Sequence, residues 1–322
     1  MSLDYIIFGG SGFVGTHLSN HLKNVGSNFL SLDIVDPILT DILYDNCDVR
    51  NKISLDVNSN TATIIINLAA IHKTPGHPDQ HYFETNIKGA ENVCDFARDK
   101  NINTIVFTSS IAVYGTYEDK KSESTLPMPD IPYGISKLSA EYIHKKWQAE
   151  DPLNRRLIIL RPGVVFGMYE KANFTRLINS LSKNFFAYVG RKDTKKACIY
   201  VKDLTKVIYD LSVDKSLHCE TYNVSYNPSQ PINKIVTIAS EIGNMKFPRF
   251  LIPRNIILFL SSILYSLFKK KDFNPKRMNK LVISNDIDAT KILKKVTFKF
   301  GFKDGIKDWM EETHFLITRK IF

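Results

Sequence analysis

Cysteine is scarce in this chain of 322 residues. Only Cys47, Cys94, Cys198 and Cys219 occur, and none is spaced like a metal ligand or a redox pair. No disulfide framework and no metal centre is therefore expected, and a reducing cytosol is the simplest setting. Apolar runs are short. The greasiest, Ile256 to Phe268, has thirteen residues, whereas a bilayer span needs about 20. The N-terminus enters a strand pattern at once and leaves no room for a signal peptide. Acidic residues fall short of basic ones, 33 against 43, for a formal charge of +10. This raises the expectation of an anionic partner. Basic and aromatic residues are not interleaved, so nucleic acid is not expected. Hydrophobic content of 43% and charged content of 24% are ordinary for a globular chain, which is long enough for one large domain or two modest ones.

The strongest pattern present is Phe8-Gly9-Gly10-Ser11-Gly12-Phe13-Val14-Gly15, preceded by the apolar Tyr5-Ile6-Ile7 and followed by a helical pattern through Leu18 and Leu22. Strand, glycine turn and helix in that order begin a dinucleotide-binding unit. Gly9 permits the tight turn, Gly12 lets backbone N–H groups reach a pyrophosphate, and Gly15 allows close helix packing. The positive end of the helix then faces the phosphates. A second strand, Phe29 to Asp33, ends in a carboxylate 18 residues past Gly15. Asp33 suits an adenosine ribose, and no Arg or Lys follows it in Ile34-Val35-Asp36, which favours NAD over NADP. The alternative for Asp33 is a cap in a surface turn. After a short polar loop, Asp48, followed by Val49, either reaches the adenine amino group or caps a helix beginning near Asn51.

The run from Ala62 to Ala70 is rich in β-branched residues and ends in Leu68-Ala69-Ala70. It reads as a buried parallel strand whose carboxyl end lets backbone approach a ligand. Residues 79–99 show helical periodicity, with Asn86 on the apolar face and so expected to be buried and hydrogen-bonded. Strand 104–107 follows. Together these elements predict an α/β fold, a doubly wound parallel sheet of Rossmann type. Ser110 then closes a strand, and Tyr133 and Lys137 lie four apart on one helix face. A free phenol is a poor base at neutral pH. A nearby ammonium group and an oxidised nicotinamide would favour the phenolate, while the serine hydroxyl bonds the substrate oxygen. This set suits hydride transfer at a secondary alcohol.

GGSGFVG (9–15), LDIVD (32–36), CDVRN (47–51), INLAA (66–70), TNIKGAENV (85–93), FTSSIAVYG (107–115), YGISK (133–137) and LRPGVVFG (160–167) stand in order. The chain resembles the extended short-chain dehydrogenase/reductases, specifically the NAD-dependent epimerase/dehydratase group. The resemblance implies an NAD-binding domain over 1–165, with some later segments returning to its sheet, and a smaller substrate lobe over 166–322. It implies Ser110, Tyr133 and Lys137 as catalytic residues. Cofactor contacts are implied for Gly9, Gly12, Phe13, Val14, Gly15, Asp33, Asp48, Val49, Leu68, Ala69, Ala70, Asn86, Tyr133, Lys137 and Pro162. Members are often homodimers.

Dehydratases and sugar-acid decarboxylases of this group carry an acid after the serine or threonine. Here Ile111-Ala112-Val113-Tyr114-Gly115 follows Ser110, which leaves reversible hydride transfer, of which epimerisation at a sugar C4 is the simplest case. An NAD-dependent hydroxysteroid or sterol dehydrogenase is the alternative. A binding protein on the same fold is a third, against which the intact triad speaks. In the second half, Asn173 to Arg176 opens a helix whose N-terminus suits phosphate. UDP-sugar epimerases place a diphosphate-binding arginine where Lys196 stands, and Arg277 resembles a second such position. One departure is Val164, where UDP-galactose-type enzymes have Asn three residues after the arginine matching Arg161.

With FTSSIAVYG (107–115), LRPGVVFG (160–167), the Asn173 helix, YVKDL (200–204) and NPKRMNKLVISNDIDATKI (274–292), the chain also resembles bacterial enzymes that epimerise N-acetylglucosamine on undecaprenyl diphosphate at the cytoplasmic membrane, in O-antigen and lipopolysaccharide synthesis. The carrier, undecaprenyl diphosphate or UDP, stays open. The stretch 256–268, followed by Lys269-Lys270-Lys271, reads either as a helix on the anionic inner face of that membrane or as a helix buried in the substrate lobe.

Overall fold

A computed structural model describes residues 3–57, 63–72, 76–268 and 282–313. Its centre is a seven-stranded sheet in the order β11-β6-β5-β4-β1-β2-β3. The strands are β1 (Tyr5–Phe8), β2 (Phe29–Asp33), β3 (Leu43–Asn46), β4 (Ile64–Asn67), β5 (Thr104–Thr108), β6 (Arg156–Pro162) and β11 (Cys219–Val224). Every neighbouring pair is parallel. All carboxyl ends therefore lie along one edge, and the order reverses beside β1, where open sheets of this type bind ligands.

Alternate strand residues feed two cores. Tyr5, Ile7, Ile66, Val106, Ile158 and Leu160 face one side, where α1 (Phe13–Asn24) and α5 (Val201–Val213) pack. Ile6, Phe8, Ile65, Ile105, Phe107, Leu157 and Ile159 face the other. There they meet α2 (Asp79–Asp99) and α3 (Pro132–Ala149). Burial on both faces explains why these strands read as continuous apolar runs, each fully buried Ile or Phe contributing roughly 1.5–3 kcal/mol.

The first core continues into later elements. Phe174 and Ile178 of α4 (Asn173–Ser182), Val236 and Ala239 of α6 (Ile232–Ile242), and Trp309 of α9 (Gly301–Glu312) all belong to it. Short pairings complete this half: β7 (Val164–Phe166) with β10 (Cys198–Tyr200), β9 (Lys195–Lys196) with β12 (Gln230–Pro231), and β8 (Tyr188–Val189) with β13 (Leu251–Ile252). The short helix α8 (Thr290–Leu293) lies against β11.

Two local expectations are corrected. The polar loop before Asp48 contains a strand, β3, which pairs with β2 at the sheet edge. Its residues are mostly exposed, so no apolar run marks it. No helix begins near Asn51; residues 52–57 are irregular. Ile53, Leu55 and Val57 pack on the second core, and that every-other-residue spacing fits an extended segment, not a helix. The greasy segment is helical, as α7 (Arg254–Phe268). It is not the buried helix allowed for above, because Ile256, Phe259 and Ile263 are exposed. Among the described residues no helix is long and apolar enough to cross a membrane. Arg277 and Lys269 to Lys271 lie outside the described residues.

Candidate active site

A cavity of about 800 Å³ runs along the carboxyl ends of the strands. One end is built from backbone. Gly9 has φ +81°, and a side chain there would meet Ala69 N at 2.7 Å. A Cβ on Gly15 would strike Gly9 O at 2.3 Å, so its packing partner is the turn itself rather than the sheet. Gly12 differs. A Cβ there would touch only Gly9 O, at 3.4 Å, and otherwise enter the cavity. Gly12 also caps α1, and no side chain satisfies the helix N-terminus. The N–H groups of Phe13 and Val14 thus stand at the positive end of α1 and beside the cavity.

Asp33 ties this turn to β2. Its Oδ2 accepts Ser11 N–H at 3.0 Å, and its Oδ1 accepts Ile34 N–H at 2.8 Å. The turn-cap reading of Asp33 therefore holds, and the carboxylate lines the cavity as well. Asp48 also lines it and is gripped by Arg50, whose Nε lies 2.9 Å from Oδ1. That contact holds the Asp48 carboxyl below its ordinary range. Val49 is fixed from behind: its carbonyl accepts Asn92 Nδ2–H at 2.7 Å. Leu68, Ala69, Ala70 and Pro162 complete this wall.

Asn86 is corrected. It is buried and hydrogen-bonded but does not line the cavity. Its Oδ1 accepts Ile71 N–H at 2.9 Å, and its Nδ2 donates to Ser136 Oγ at 2.8 Å. Ser136 in turn donates to the Tyr133 carbonyl at 2.9 Å. Asn86 therefore locks the loop after β4 to the helix that carries Tyr133, and Thr85 takes its place on the cavity wall.

Ser110, Tyr133 and Lys137 all line the cavity. Ser110 Oγ accepts Ala112 N–H at 3.2 Å, which leaves its own proton to donate. Burial pushes the Tyr133 phenol up, and a hydrogen bond with Ser110 opposes that shift. Lys137 Nζ donates to the Thr108 carbonyl at 2.7 Å and lies 4.7 Å from the Phe107 ring centre. Burial pushes this ammonium down to about 7, against the pull of Glu141. Ser110 thus bonds the Tyr133 phenol, and the Lys137 ammonium bonds the Thr108 carbonyl.

A buried network missed in the sequence supports the triad. Arg161 donates Nε–H to Glu141 Oε1 at 2.8 Å and a second N–H to Oε2 at 2.6 Å. Ser109 donates to the same Oε1 at 2.6 Å, and Arg161 donates to the Tyr114 hydroxyl at 2.8 Å. Glu141 stands one turn after Lys137 on α3, so a Tyr-x3-Lys-x3-Glu spacing was the available signal.

Another part of the wall is assembled from Gly115 to Tyr117, Lys121 and residues 285–287, whereas Tyr169 stands against α1, its ring 5.8 Å from that of His17. Here the sequence expectations fare worst. Asn173 lines the cavity, but Arg176 is exposed and does not. At the α4 N-terminus Glu170 accepts Ala172 N–H and Thr175 N–H at 2.9 Å each. A helix N-terminus attracts any nearby anion, and this chain supplies its own. Lys196 is off the cavity; its Nζ donates to the Ile283 carbonyl at 2.9 Å. Val164 does face the cavity.

Residues 5–225 match the model of the NAD dependent epimerase/dehydratase family. The chain belongs to that family. NAD is its cofactor, and the open α1 N-terminus with Gly12 beside it fits the pyrophosphate. A buried Thr108 Oγ1 on the same wall lacks a protein partner. The chain is similar to N-acetyl-alpha-D-glucosaminyl-diphospho-ditrans,octacis-undecaprenol 4-epimerase of Escherichia coli O157:H7, with 28% identity over 91% of this chain and 89% of that protein. Its fold is similar to that of MoeE5 in complex with UDP-glucose and NAD: TM-score 0.75, 19% identity, 98% of this chain and 100% of that one. UDP-N-acetylglucosamine 4-epimerase from Bacillus cereus has the same fold, with TM-score 0.73, 19% identity, 97% and 96% coverage.

Proposed function

We propose that the protein is an NAD-dependent sugar 4-epimerase, an isomerase. Its substrate is an N-acetylhexosamine carried on undecaprenyl diphosphate or on UDP, used in bacterial surface polysaccharide synthesis, at the inner face of the cytoplasmic membrane. The observation that carries this reading is that Ser110, Tyr133 and Lys137 line the same cavity as the glycine turn and Asp33. The near full-length similarity to the Escherichia coli 4-epimerase supports the sugar and the lipid carrier.

When bound, NAD supplies the hydride acceptor and donor. Ser110 donates its hydroxyl proton to the substrate oxygen and holds it beside Tyr133. Tyr133 takes the proton from the C4 hydroxyl and later returns it to the oxygen on the other face. Lys137, bonded to the Thr108 carbonyl, places positive charge in the buried wall when protonated. The site must hold the diphosphate while the sugar turns, so the diphosphate contacts belong away from the ring.

The test is incubation of purified protein with UDP-GlcNAc and, separately, with GlcNAc-diphospho-undecaprenol. The expected result is a galacto-configured product from one of them without net NADH. Absence of product from both defeats the proposal. Stoichiometric NADH from a sterol or hydroxysteroid would instead assign a dehydrogenase.

A further inference from the structure

The structure assigns a membrane-docking face to α7 and the segment before it, with the surface of an anionic phospholipid bilayer as its occupant. Helix α7 exposes large apolar side chains beside Asn255, Ser262 and Ser266. Ile256, Phe259 and Ile263 share one face and are 50%, 66% and 40% exposed, while the polar Ser261 is buried at 4%. Spacing of i, i+3 and i+7 makes this a continuous stripe. The stripe does not end with the helix. Phe250, 77% exposed, precedes Leu251 of β13, and its carbonyl accepts the N–H of Tyr188 in β8 at 2.9 Å. That pairing brings in Phe185, 85% exposed and three residues upstream. Two chain segments that pair through β8 and β13 thus both expose large apolar side chains.

The charge of this face says what covers it. Between Glu241 and Asp272 the chain has no acidic residue, but it has Lys246, Arg249, Arg254 and the three lysines 269–271. Lys246, Arg249 and Arg254 are exposed. The exposed Lys246, Arg249 and Arg254 repel a second copy of the same face and attract anionic headgroups. Apolar rings beside basic residues are what an interfacial element presents to a bilayer.

The face also connects to the cavity. Gly190, just past β8, packs so closely on Val282 that a Cβ there would meet Val282 Cγ1 at 2.5 Å. Arg191 donates to Ser284 Oγ at 2.6 Å, and the next residues, Asn285 to Ile287, line the cavity. The docking face rests on and extends the lipid-linked form of the function proposed above, since a polyprenyl-linked sugar must be met at a bilayer.

The full-length protein is mixed with vesicles of phosphatidylglycerol and phosphatidylcholine, and with vesicles of phosphatidylcholine alone, then sedimented. Binding to the anionic vesicles is expected, at least about tenfold stronger than to neutral ones and weakened by salt. The double variant Phe250→Ser/Phe259→Ser, at two exposed positions, should bind anionic vesicles at least about tenfold more weakly. Its NAD affinity and Tm should match the parent. Parent protein left in the supernatant with anionic vesicles, or a double variant that binds as well as the parent, overturns the assignment. So does a parent dimer that the double variant dissociates, which would give the face to a second copy. Sedimentation uses no turnover. Vesicle binding without epimerisation of either sugar would defeat the proposed function and leave the docking face standing.

Discussion

The two ends of the cavity are built on different principles. The glycine end comes from short local segments at strand carboxyl ends: residues 9–15, Asp33, 48–49 and 68–70. Backbone N–H groups and the absence of side chains shape that end. The other end draws on segments far apart in the chain, such as those of Tyr117 and Asp286. Side chains decide its shape, and those chains are already committed to one another, as Lys121 is to Asp119. A backbone-built site needs a spacing; a side-chain-built site needs a whole fold.

Substitutions can break this contrast, and the largest effect is expected at the triad. Tyr133→Phe should cut turnover on the order of a thousandfold, within the range for a lost general base, and leave NAD affinity largely unchanged in a binding titration. Loss of NAD affinity alone would reassign Tyr133 to the cofactor end.

Glu141→Ala leaves the buried Arg161 guanidinium without its carboxylate. Such a loss costs about 3–5 kcal/mol, read as a lower denaturation midpoint. A near-neutral result would mean that the network beneath Ser109 and Lys137 is dispensable.

His144 tests the same wall through pH. It is stacked on Phe107 at 4.2 Å, and burial pushes it down from 6.5 to about 4. Between those values the unfolded chain binds the extra proton, so stability falls as pH drops from 6.5 to 4. The loss expected is about 3 kcal/mol, and His144→Phe should flatten that part of a stability–pH curve. An unchanged slope would place the acid sensitivity elsewhere.

Asn86→Ala strands the Ile71 amide and should cost about 1–3 kcal/mol, with weaker NAD binding because the loop after β4 is loosened. The smallest effect belongs to Arg176→Ala. Arg176 is exposed and off the cavity, so stability should stay within about 0.5 kcal/mol and KM should barely move. A large rise in KM would show that the other end reaches further than its walls suggest.

Much of the fold and half of the site could be read without coordinates. Strands β1, β2, β4 and β5 are apolar because helices cover both faces of the sheet, and helix 79–99 was legible from its periodicity. Edge strand β3 was not, since an exposed strand owes its existence to its neighbour's hydrogen bonds and not to its own apolar residues. Ser110, Tyr133 and Lys137 were legible as a set. The partners that tune them were not: Thr108 offers Lys137 only a carbonyl, and a backbone carbonyl has no signature in sequence.

Sequence alone determined the glycine turn, the parallel sheet, the triad and the family, because each depends on spacing within a segment or on the order of segments. Tertiary structure decided which polar groups remain available to a ligand. It took Asn86 and Lys196 away from the cavity, because each had found a nearer partner within the chain. It also decided that the stripe on α7 faces outward, which depends on what packs behind the helix and not on how apolar the helix is.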